Sequence, residues 1–117
     1  MSPDSPRRRT FSLEEARQLL PTVKQLTAEA ARRVDVLAAE LEGLRESDPE
    51  HRRLSDELQA VVNTWAREVQ SLDVEVKGLW LVDFDSGHGY YCWRYPEESV
   101  SHYHSYEEGF AGRVKII

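Results

Sequence analysis

The sequence predicts an α+β fold: a long antiparallel helical hairpin, coiled-coil-like, packed at its open end on a small antiparallel β-meander. Three observations predict it. Apolar residues recur at alternating steps of three and four from Leu13 to Leu72. A short polar run at residues 45–48 interrupts that pattern, and after Asp73 the period becomes strand-like.

Ser12 stands three residues before Glu15, the spacing of a capping box, and Phe11 and Ala16 fall at the positions of a hydrophobic staple. Leu13, Ala16, Leu20, Val23, Ala30, Val34, Leu37, Leu41 and Leu44 form a seam that only Thr27 interrupts. Pro21 lies inside it and is expected to kink or restart the helix near Leu20. Gly43 closes this helix, and Asp48-Pro49 opens the next as N-cap and first helical residue. Leu54, Leu58, Val61, Trp65 and Leu72 continue the seam, with Glu68 at the one position lacking an apolar residue. Helices over about 21–44 and 49–72 would each be roughly 36 Å long at 1.5 Å per residue, and so short a connection makes them antiparallel neighbours.

In that register the small Thr27 faces the turn from Trp65 to Glu68, and Glu68 reaches past the seam to solvent. Leu19, Leu26, Val62 and Val69 widen the apolar stripe at the open end, which therefore needs a cover. Val36 faces away from the seam and marks a partner surface.

Residues 74–84 are rich in strand formers, Asp85-Ser86-Gly87-His88-Gly89 is a turn, and 90–95 is the returning strand. Pro96-Glu97-Glu98 makes another turn before a shorter third strand at 100–104. Gly109 and Gly112 punctuate the stretch after it, and 114–117 is a short apolar end. The expected organisation is a flexible tail over 1–10 and a single domain over 11–117, with the hairpin at 12–72 and the three-stranded meander and C-terminal segment at 73–117.

Composition narrows the function classes. Twenty-one acidic residues against 15 basic ones leave a formal charge of -6, the wrong sign for a nucleic-acid or anionic-membrane binder. Arg7-Arg8-Arg9 is too short to reverse this and reads as part of a solvated tail. No apolar stretch approaches the ~18 residues of a membrane span, and the first residues lack a signal-peptide core. One cysteine, Cys92, excludes an internal disulfide. The expected setting is the cytoplasm.

Several motifs agree in order. Leu81-Val82-Asp83-Phe84, Cys92-Trp93, His104 and Gly109-Phe110-Ala111-Gly112-Arg113, after Phe11-Ser12-Leu13-Glu14-Glu15-Ala16 and Leu19-Leu20-Pro21, resemble a bacterial family catalogued as domain of unknown function 2203. The likeness covers about residues 11–113. It implies a helical hairpin with a small β-region and brings no catalytic residue to transfer. Relatives tend to have Trp where Tyr103 stands, and the resemblance does not extend to His102.

The chemistry-bearing residues cluster late in the chain. His102 and His104 alternate on one strand and so share a face, a good start for binding zinc, nickel or copper. Asp83, Glu98, Glu107 and Glu108 are candidate further ligands, with Asp83 and Glu108 the favoured pair beside the two histidines. Asp83 ends a run that reads as buried strand, so it is solvated, paired with Arg113 or Arg94, or set beside His104 as a ligand or general base. Cys92 reads as a buried inert thiol, the alternative being a nucleophile with His88 or His104 as base. Arg113, presented by its glycine-bounded loop, and Trp93, in a dense group of tyrosines, are candidate contacts for an anion or small ligand.

These residues support two functional readings. The first is a structural or protein-interaction module, with hairpins pairing side by side as a homodimer. The second is a metal-binding protein holding a divalent transition ion such as zinc, with metal-dependent hydrolysis as its extension. Enzymatic activity is left open.

Overall fold

The computed structural model describes residues 9–117. Arg7, Arg8 and most of the expected tail lie outside the described residues. Helix α1 runs Leu13–Glu42, and the Ser12–Glu15 capping box is formed in both directions. Pro21 neither ends nor restarts α1. Its missing N–H removes one hydrogen bond, while the buried face continues across it through Ala16, Leu20 and Val23. Helix α2 runs Pro49–Gln70, with the Asp48 carboxylate accepting from the Glu50 N–H. The two pack together along the seam, where Trp65 meets Thr27. Among the described residues no helix is long and apolar enough to cross a membrane.

The β-region has five strands rather than the expected three: β1 Glu75–Gly78, β2 Leu81–Asp85, β3 Tyr90–Arg94, β4 His102–His104 and β5 Val114–Lys115. They pair antiparallel in chain order. The run read as one strand over 74–84 folds back at Leu79 and Trp80. Trp80 takes a left-handed backbone, φ 59°. Its ring meets Trp65 edge-on at 4.8 Å, and its carbonyl accepts from the Tyr95 N–H at 3.0 Å. After a 3₁₀ turn, Phe110–Gly112, the C-terminal segment adds β5 to the free edge of β4.

Alternation gives the sheet two unlike faces. Val82, Phe84 and Trp93 join Ala16, Leu20, Val23 and Val69 in the core, so the sheet does cover the hairpin's open end. Phe11 is more than a staple: it is buried against Phe84, ring centroids 5.4 Å apart, and its N–H donates to the Asp85 carbonyl at 2.7 Å. From α1, Arg17 donates to the Val100 carbonyl and Lys24 to that of Glu98, holding the loop that leads into β4. The opposite face carries Asp83, Asp85, Tyr90, Cys92, His102 and His104.

Candidate functional site

Strand register assembles the polar face. Asp83 on β2 stands opposite Cys92 on β3, and Tyr90 on β3 opposite His104 on β4. His104 Nε2 lies 3.0 Å from Asp83 Oδ2, with the two residues 4% and 1% exposed. His104 Nδ1 lies 2.8 Å from the Ser105 carbonyl, which can only accept, so Nδ1 carries a proton. One further proton then sits between Nε2 and Oδ2. Asp83 Oδ1 is buried with no nitrogen or oxygen donor in reach. The Cys92 thiol, a weak donor, is another polar group acting on the Asp83 carboxyl.

Burial pushes the Asp83 carboxyl above the usual carboxylate range, against the opposing pull of His104, the Cys92 thiol and Lys77. Burial also raises the Cys92 thiol, reinforced by the Asp83 charge, up to about 12. A thiol so held is protonated at neutral pH, which speaks against the nucleophile reading. The carboxylate, thiol and imidazole donors of Asp83, Cys92 and His104 all lie within 4.8 Å of one another.

The set adjoins a cavity of about 420 Å³, with Asp83 and His104 in its lining. Tyr90, Tyr106 and Phe110 give it aromatic walls, and Lys77, Glu107 and Glu108 charged ones. Tyr106 is held by donating its hydroxyl to Asp85 Oδ1 at 2.6 Å. Lys77 is tied to Glu75 at 3.1 Å and sits over the Tyr90 ring.

The structure therefore joins Asp83 to His104 and adds Cys92, which the sequence reading treated separately. His102 shares the face but turns away, its Nδ1 3.8 Å from Glu97. Glu108 stays exposed and accepts from the Ser105 hydroxyl. Glu98 is exposed beside Lys24 at 3.7 Å, and His88 is exposed in the β2–β3 turn. Asp83 is paired with His104 rather than with Arg113 or Arg94. Arg113 does hold an anion, but it is the chain's own Glu97, at 3.0 and 2.5 Å. Burial raises Glu97, yet those bonds and the Arg94 N–H outweigh it and hold the carboxyl below its usual range. Trp93 offers a ligand no surface: it is wholly buried, and its indole donates to the Glu97 carbonyl. The one sequence signal for Cys92 was its place on the strand returning opposite Asp83.

A family model described as an uncharacterised conserved protein matches residues 9–116. No curated protein and no solved structure matches the chain.

Proposed function

The chain belongs to the family of uncharacterised conserved proteins DUF2203, and since membership assigns no chemistry, we propose from the side chains that it binds a divalent transition metal, zinc in type, through Asp83, Cys92 and His104. The observation that carries this reading is the compact buried set of three different donors from three neighbouring strands. Thiolate, imidazole and carboxylate suit zinc, with cobalt and nickel as close substitutes. The Nδ1–H of His104 bound to the Ser105 carbonyl is the outer contact that orients a metal-binding imidazole and leaves Nε2 for the ion. A buried carboxylate oxygen without a strong donor is costly, and a cation relieves it.

Charge also balances. Binding releases the thiol proton and the proton between His104 and Asp83. Thiolate and carboxylate then neutralise a doubly charged ion, so no net charge is left in a buried place. Three protein ligands leave a fourth position, and the neighbouring cavity has room for water or a small donor molecule there. Hydrolytic chemistry would need a water activated at that position. A reduced thiolate ligand fits the cytoplasmic setting expected from a single cysteine.

The test is cobalt substitution. Protein loaded with cobalt should show thiolate-to-metal charge transfer in the near ultraviolet, and Cys92→Ser should abolish it. His104→Gln should weaken binding, and a chelator should lower the melting temperature of the metal-loaded protein. No charge-transfer band, with melting indifferent to chelator, would reduce the cluster to a hydrogen-bonded trio and end the proposal.

A further inference from the structure

A second feature lies at the other end of the molecule and is independent of the metal reading. A groove of about 440 Å³ runs between the helices near their connection, lined by Arg32, Arg33, Val36, Leu37, Glu40 and Leu54 among others. Val36 is 56% exposed, a branched apolar side chain facing water. Leu37 and Leu54 beneath it belong to the core. Arg32 stands four residues before Val36 and Glu40 four after, so all three share one face of α1. Arg32 and Glu40 are about 12 Å apart along the axis at 1.5 Å per residue, too far for an ion pair within the helix. Among the described residues Arg32, Arg33 and Glu40 make no close ion pair, and Glu40 feels only the charge of Arg53 across the groove. Arg53 at the groove's other wall is already engaged by Glu50 and Glu57.

We propose that this face pairs with a second copy of the chain, α1 antiparallel to α1 about a twofold axis at Val36. The charge order is self-complementary about that residue. An antiparallel copy sets Val36 on the partner's Val36, Arg32 on the partner's Glu40, and Glu40 on the partner's Arg32. A parallel copy would set like charges together, so the pattern selects one orientation. Such a contact is isologous: one patch closes on itself and leaves no open end. Dimerisation here also leaves the sheet and its polar face free, so the two proposals can fail separately.

Sedimentation equilibrium of the full chain over a concentration series reads the dimer directly. Wild-type protein should associate, and Val36→Glu should raise the dissociation constant by about tenfold or more. Arg32→Glu alone should weaken association similarly by facing two like-charged pairs. Arg32→Glu combined with Glu40→Arg should restore it to within about threefold of wild type. All three positions are exposed, and circular dichroism confirms that each variant remains folded. A monomer at every concentration overturns the proposal. So does association that ignores Val36→Glu, or a double charge reversal that fails to recover.

Discussion

The Trp65 indole Nε1 donates a 2.9 Å hydrogen bond to Thr27 Oγ1 inside the helical seam. The same hydroxyl donates to the Val23 carbonyl at 2.7 Å, so it acts as acceptor and donor at once. Thr27 is wholly buried, and no water can replace it as the indole's acceptor. Thr27→Val keeps the shape and removes the acceptor. It should destabilise the fold by about 1–3 kcal/mol, the cost of a buried donor left unmade, while Thr27→Ser should cost less. Urea unfolding checks the order, and a valine variant as stable as wild type would refute it.

Trp80 reverses the usual ranking of alanine over glycine. Its positive φ costs a non-glycine residue about 1–2 kcal/mol, offset here by the Trp65 contact. Trp80→Ala loses the contact and keeps the strain, whereas Trp80→Gly loses both. The glycine variant should therefore be the more stable of the two, by about 1 kcal/mol. Thermal melting of the pair decides, and equal or inverted stabilities would count against a left-handed Trp80.

Gly89 precedes β3 where the chain passes close to β4. A Cβ there would stand 2.6 Å from Tyr103 Cζ and 2.8 Å from the His104 carbonyl oxygen. Gly89→Ala should cost about 1–3 kcal/mol by forcing apart the strands that carry Cys92 and His104. Pairing it with Tyr103→Ala relieves part of the clash, so the double variant should be more stable than the sum of the singles. Strict additivity would show that Tyr103 does not confine this glycine.

The Cys92 thiol gives the metal-free protein a stability that declines with base. Its ordinary pKa is 9.0, and burial with the Asp83 charge holds the folded value near about 12. Between those values the folded chain binds one proton more than the unfolded chain, so stability falls as pH rises. The slope should reach ~1.4 kcal/mol per pH unit. Comparing wild type with Cys92→Ala across that range isolates it from the other titrating groups. Parallel stability curves would mean that burial does not hold the thiol protonated.

Much of the hairpin was readable because its determinants are local. The Ser12–Glu15 box and the Asp48-Pro49 start need only neighbours in sequence, and both form as read. The facing of Thr27 and Trp65 follows from heptad arithmetic once the connection is short. The candidate site was half legible. Asp83 stood out as a carboxylate ending an apolar run, and His104 as one of two alternating histidines. Their direct pairing, the inclusion of Cys92 and the turning away of His102 depend on cross-strand register and on the hold that Arg113 and the Arg94 N–H keep on Glu97.

By itself the sequence determined the caps at Ser12 and Asp48 that start the two helices, that their open end needs a cover, and which stretch supplies it, whereas the helix continues through Pro21 only because its buried face does. Period and capping are properties of consecutive residues, so they survive without a third dimension. Only the tertiary structure decided that the cover has five strands, that Trp80 turns the chain without a glycine, and that Phe11 is core. Each of those depends on contacts between residues distant in sequence, whose energy offsets a local preference that points elsewhere.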